Sequence, residues 1–356
     1  MHSSTSSFER PIPALQWRGI AVVVFFIVLI AAAAWEIRSR SVGYAPTLND
    51  TEDLWADARR RVQPGSLVIV GDSRPHFDLD LDELENGLGK RPIQLAQGGS
   101  CAYPVLEDLA NDERFHGTII CSIVPGMFFV PGGPLLENAQ NAVKRYHTQT
   151  WAQRASHHLA VLLEERIAFL KLDELDTDGL LARLAIPNRP QALIGPPLPP
   201  YFASLDRERR ARMTESAAQP GELQSRIARG WLPLFTPPPP PTYVPREAFA
   251  ARMREAVEAR FRNTAAAVEK LRARGGKIVF VRFPVTDELK ALEDRLTPRA
   301  GIWERLLRET AVPDIYFEDF PELASFDCPE WSHLSAGDSV EFTKRLVPHL
   351  RVALGE

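Results

Sequence analysis

Leu67-Val-Ile-Val-Gly-Asp-Ser-Arg74 joins an apolar run to a small residue, and then presents an acid, a hydroxyl and a cation together. A run of Leu, Val and Ile with no polar alternation suits a strand buried on both faces of a parallel sheet. In such sheets ligands bind just beyond the C-terminal ends of the strands, where Ser73 falls. The simpler alternative is an ordinary strand-to-helix turn in which Asp72 or Ser73 only caps the next helix.

Outward from this stretch the pattern alternates. Strands are expected at 67–70, 93–96, 118–124, 277–282 and 315–317, with helices between them. A helix over 247–274 stops at Gly275-Gly276, directly before the strand that begins at Lys277. Such alternation predicts an α/β protein, a three-layer α/β/α core of the flavodoxin-like kind. The core falls into two parts, 65–124 and 246–356.

Near the far end, Glu330-Trp-Ser-His333 sets a carboxylate three residues before a histidine, and Ser335 stands where a cap for a closing helix over 336–354 belongs. A serine hydroxyl is a weak nucleophile until a base takes its proton, and the base needs a carboxylate to fix its tautomer and stabilise its charge. Ser73, His333 and Glu330 are the candidates for those three roles. Asp327 is the alternative acid. His76 is the alternative base, although so short a connection to Ser73 makes alignment difficult.

Gly71-Asp-Ser73 early, Gln97-Gly-Gly-Ser100 after a strand, and acid-x-x-His late resemble the blocks of the SGNH or GDSL hydrolase superfamily. The resemblance implies that Ser73 attacks an ester carbonyl after His333 removes its proton, while the backbone N–H groups of Gly99 and Ser73 hold the oxyanion. No cofactor or metal is implied. An acyl-enzyme handed to water would make an esterase, and one handed to a sugar hydroxyl an O-acyltransferase. Similar membrane-anchored, exported SGNH-like proteins take part in O-acetylation of envelope or secreted polysaccharides, often beside a multispanning acyl-transfer partner. The substrate class implied is an acylated carbohydrate or a small ester.

The chain also departs from that family. Arg74 stands where the motif has Leu, Glu330 replaces the usual Asp, and Pro125-Gly-Met-Phe128 follows the third strand in place of Gly-x-Asn-Asp. Losing one oxyanion donor typically costs on the order of a hundred- to a thousandfold in rate. The alternative function is therefore a catalytically silent envelope protein that keeps the fold and binds a glycan or a membrane partner. Arg74 and Arg282 are candidates for substrate binding, Arg282 because it ends a strand at the expected active edge. An ion pair with a nearby carboxylate is the other role open to Arg282.

Residues 19–35 contain no charged side chain and lie between Trp17 and Trp35, as expected of a membrane span with interfacial anchors. They are read as a signal anchor that follows a cytoplasmic segment over 1–18 and precedes a linker over 36–64. Cleavage after the small residues 31–34 is the competing reading. Either one exports the large C-terminal part, to the periplasm in a Gram-negative cell. Arg10 and Arg18 before the span are balanced by Arg38 and Arg40 after it, so charge alone does not set the orientation.

Hydrophobic residues make up 45% and charged residues 25%, enough for a sizeable core, and the formal charge of −4 argues against a general nucleic-acid binder. Between residues 125 and 245 the alternation breaks into a helical and proline-rich insertion, with Pro196-Pro-Leu-Pro-Pro200 and Pro237 to Pro241 as extended segments. Before them, 151–172 carries Leu159, Leu163, Ile167 and Leu170 at helical spacing and is expected to pack on the core, the whole insertion acting as a lid, a docking element or plain cover. His157-His158 read as surface. Three cysteines without a paired spacing give no zinc site. Cys121 reads as a core residue. If the Gly99 and His333 loops meet at one sheet edge in an oxidising compartment, Cys101 and Cys328 could form a disulfide, with two free thiols as the alternative.

Overall fold

The computed structural model of the chain describes residues 16–171, 202–237 and 239–355. The strand predicted at the opening stretch forms as β1, Leu67–Val70, with all four side chains buried. The others of the central sheet are β2, Ile93–Gln94, β3, Thr118–Ser122, β6, Lys277–Arg282, and β7, Asp314–Tyr316. They pair in the order β2-β1-β3-β6-β7, every pair parallel. Because β2 and β3 flank β1, the connection after β1 runs to one side and the connection after β3 to the other. A crevice opens between their C-terminal ends at such a reversal. Ser73 stands there.

Two helical groups pack against this sheet. The C-terminal helix Ala336–Leu354 lies on Ser73–Asp78, Leu81–Leu88, β6 and β7, while helix Arg246–Ala273 lies on Tyr103–Asn111, Arg299–Thr310 and β6. The long helix ends at Gly275, whose φ of +81° is the left-handed conformation that glycine adopts without steric cost. Ser335 caps the C-terminal helix by accepting from the Asp338 amide at 3.1 Å. Strands and helices thus fall where apolar periodicity and stop signals put them, within one or two residues at most ends.

The insertion contains more than helices. A hairpin of β4, Ala203–Leu205, and β5, Ala211–Met213, was not foreseen, because three-residue strands are too short to carry a period. Of the proline clusters, 196–200 lies outside the described residues, and 237 and 239–241 hold no regular structure. Helix Trp151–Glu164 starts at a capping box of Thr150 and Gln153 and is shorter than expected. Its orientation corrects the sequence reading: Leu159 and Leu163 are exposed rather than packed on the core. The buried residue is His157, held 3.6 Å from Asp57, whereas His158 is exposed. Adjacent helical residues point about 100° apart, so one histidine faces inward and the next outward.

At the N-terminus, helix Trp17–Ser41 has a mean hydropathy of 2.7 over an 18-residue window with none of that window buried, and it is long and apolar enough to cross a membrane. Its last turns dock on the segment that follows helix Trp151–Glu164. Glu36 accepts from the amides of Ala168 and Phe169 at 3.0 and 3.2 Å, and Arg40 donates to the Arg166 carbonyl at 3.0 Å.

Candidate active site

Gly71 begins the site because nothing larger fits after β1. A Cβ there would lie 2.6 Å from both the Pro75 ring and the Ser122 side chain, closer than such atoms approach. Asp72 then caps helix Ser73–Asp78, one carboxylate oxygen accepting from the Arg74 amide at 2.9 Å and the other from the Ser122 hydroxyl at 3.1 Å. The capping role falls to Asp72, which leaves the Ser73 hydroxyl for another partner. Ser73 is half-buried.

That partner is His333, whose Nε2 lies 2.7 Å from Ser73 Oγ across 260 residues of sequence. Its Nδ1 lies 2.7 Å from Glu330 Oε1, and its backbone N–H donates to the same oxygen, also at 2.7 Å. Trp231 Nε1 donates to the other oxygen, Oε2. With N–H donors on both oxygens, Glu330 acts as an acceptor, so the network assigns the imidazole proton to Nδ1 and leaves Nε2 to accept from the serine. Glu330 and His333 are 0% and 1% exposed, a setting in which an unpaired carboxylate would be costly and a fully bonded one is held rigidly.

The loop carrying these two residues is tightly wound. Trp331 has a φ of +76°, unusual for a bulky side chain, and its amide donates to the Cys328 carbonyl at 2.7 Å. Its own carbonyl accepts from Thr286 N–H, tying the loop to the segment after β6. On the other side, Asp78 Oδ1 accepts from the Leu334 amide at 2.9 Å. Burial pushes the Asp78 carboxyl well above its usual value, and Glu330 and Asp72 add to that against the Leu334 N–H and Arg74. Aromatic rings close around the imidazole, with Phe77 at 4.5 Å and Trp231 at 5.5 Å between ring centres.

The glycine loop sits beside the serine. A Cβ on Gly98 would be 3.9 Å from the Ser73 Cβ, and Gly99, with φ of +61°, is in the conformation that favours glycine. Its carbonyl accepts from Asn138 Nδ2 at 3.0 Å, so a helix of the insertion, Pro134–Thr148, braces this loop. Asn138, Trp231 and Asp78 were not singled out from sequence. The first two reach the site from an insertion that no local spacing connects to it.

The remaining sequence candidates lie differently. His76 is buried and 4.0 Å from Asp50, and its burial, reinforced by Arg209, lowers it to about 4. Arg74 and Arg282 are 1% and 3% exposed, and both are bonded to Glu293, Arg74 at 2.5 Å. Burial alone would raise the Glu293 carboxyl, but the two guanidinium charges outweigh it and hold it at about 2. The three form an ion triplet under the site, which is the ion-pair role left open for Arg282, and Arg74 shares the same carboxylate. Of the two states open to Cys101 and Cys328, the free thiols are found, and Cys101, Cys121 and Cys328 are all buried. Cys101 faces the Phe128 carbonyl and Arg260 instead.

In comparisons with protein-family models, curated proteins and solved structures, the chain matches none.

Proposed function

We propose that this chain is a membrane-anchored, exported serine esterase or O-acyltransferase with an SGNH-like, three-layer α/β/α core, acting on acyl groups of an envelope or secreted polysaccharide. The observation that carries the reading is the unbroken relay from Ser73 through His333 to Glu330. A half-buried hydroxyl within hydrogen-bond reach of a base, itself held by a buried carboxylate, is what nucleophilic acyl transfer requires. In the proposed reaction His333 Nε2 takes the Ser73 proton as Oγ bonds to the ester carbon. The same imidazolium then protonates the departing alkoxide as the ester C–O bond breaks. Water or a sugar hydroxyl, deprotonated by His333, attacks the acyl-serine and restores the hydroxyl. The Gly99 and Ser73 amides are assigned to the oxyanion. The apolar N-terminal helix supports anchoring with the large domain exported, and the periplasm is its compartment in a Gram-negative cell.

One observation favours a silent, glycan- or partner-binding protein: Pro125–Phe128 forms a short helix after β3 and brings no side-chain amide to the oxyanion position by sequence. Incubation with a serine-directed phosphonate, alongside a fluorogenic acetyl ester, separates the two. An adduct on Ser73 that is lost in a Ser73→Ala variant with the wild-type melting temperature supports the enzyme. A folded protein that neither reacts nor hydrolyses would transfer support to the binding reading.

A further inference from the structure

Outside the N-terminal helix and its end, the large exposed apolar side chains are unevenly placed among the described residues. Leu234, Leu296 and Val352 each lie on a different helix and Tyr243 in a turn, whereas Trp151, Leu159, Leu162 and Leu163 share helix Trp151–Glu164. With the exposed Ala152 and Ala155 they recur at intervals of three and four, which is one continuous stripe along the helix. The opposite face is the one that packs, through His157 toward Asp57. An amphipathic helix that turns its apolar face outward needs an occupant for that face.

Its position names the occupant. Glu164 accepts from the Asn49 amide at 2.9 Å, and the next turn bonds the end of the apolar N-terminal helix: the Arg166 carbonyl to Arg40, the Ala168 and Phe169 amides to Glu36. Glu36 follows Trp35, the expected interfacial residue, so this joint lies where the spanning helix leaves hydrocarbon for headgroups. Leu162 and Leu163 are within one helical turn of Arg166, about 5 Å along the axis, and the stripe is therefore continuous with the membrane boundary. Arg166 and Arg38, on the two segments that meet here, are exposed, as is Arg40, which also pairs with Glu36 at 2.6 Å, and cations in this position are what anionic headgroups attract.

We infer that helix Trp151–Glu164 lies on the bilayer surface, its Leu159, Leu162 and Leu163 stripe in the interface and the adjacent arginines among anionic headgroups. This rests on the reading of the N-terminal helix as a membrane anchor. It makes the helix a second, in-plane contact that fixes how the domain stands on the membrane. Interfacial helices bury such a face about 5–10 Å into the boundary between headgroups and acyl chains.

The test uses the full chain in vesicles of phosphatidylethanolamine and phosphatidylglycerol, with an environment-sensitive fluorophore on single introduced cysteines. The three native thiols are buried, and unsubstituted protein gives the labelling background. Leu159→Cys and Leu163→Cys report the stripe, Val352→Cys an exposed apolar site on another element, and Ile27→Cys the span. Labels at 159 and 163 should be blue-shifted, quenched by doxyl lipids, and several-fold less sensitive to iodide than the label at 352. If 27 is shielded while 159 and 163 are quenched by iodide as strongly as 352, the surface contact is overturned and the anchor stands. If 27 is also open to iodide, both fail.

Discussion

Trp231, on helix Glu222–Phe235 of the insertion, donates its indole N–H to Glu330 and so completes the shell of the carboxylate that holds His333. The insertion is thereby part of the site's construction and not only its cover. A hydrogen bond to a charged group contributes about 1.5–3 kcal/mol.

Trp231→Phe keeps the ring and removes the donor. Ester turnover is expected to fall by roughly ten- to a hundredfold, the kinetic equivalent of that hydrogen bond. Unchanged turnover with lowered stability would reduce Trp231 to a packing residue. Glu330→Gln should cost far more, on the order of 10⁴, because an amide can present an N–H to Nδ1 and select the wrong tautomer.

Much of this arrangement was legible in the chain. The four-residue β1 run is buried on both faces, and such runs announce themselves without periodicity; Gly71-Asp72-Ser73 marks its end. Glu330 and His333 could be paired because three residues separate them. What could not be read depends on partners far away in sequence. Arg74 is 219 residues from Glu293, and nothing around Arg74 distinguishes a buried pair from a ligand-binding cation. The stripe on helix Trp151–Glu164 gives the same period whether it faces a core or a bilayer. Apolar spacing fixes which residues share a face, and only the fold decides where that face turns.

Glu293 carries two buried guanidinium groups and should be a stability element first. Glu293→Gln leaves both cations without their carboxylate, a change that costs about 3–5 kcal/mol in buried pairs. Its folded value of about 2 lies below the usual 4.5, so its contribution is present above 4.5 and is lost as pH falls toward 2. Urea unfolding should show a gap between wild type and variant that is widest near neutrality and closes across that window. A gap of the same size at pH 7 and pH 3 would contradict the ion triplet as its source.

Asp78 should behave in the opposite sense. Its carboxyl is raised in the fold, so its favourable contribution is complete below its ordinary 3.8 and is lost as pH rises through the folded value. Asp78→Asn preserves an oxygen for the Leu334 N–H and abolishes the ionisation. The variant should gain on wild type in melting temperature as pH is raised from 4 to 8. Asp78→Ala should instead lose roughly 1–3 kcal/mol at acid pH, since it leaves a buried amide unpaired beside His333, and that gap should narrow as pH rises and wild type loses the contribution of its neutral carboxyl. Equal pH dependence in wild type and the Asn variant would argue against a neutral acid at this position.

The thiols test the placement of the loops themselves. Burial pushes the Cys101 thiol up, and it raises Cys121 and Cys328 as well, which keeps all three in the unreactive form. Iodoacetamide should leave the native protein unmodified and should alkylate three cysteines once it is unfolded without reductant. Treatment with a reductant before unfolding should add no further site. Recovery of a Cys101–Cys328 cross-link from protein taken directly from the membrane would mean that the glycine and histidine loops approach one another in a way the fold described above does not contain.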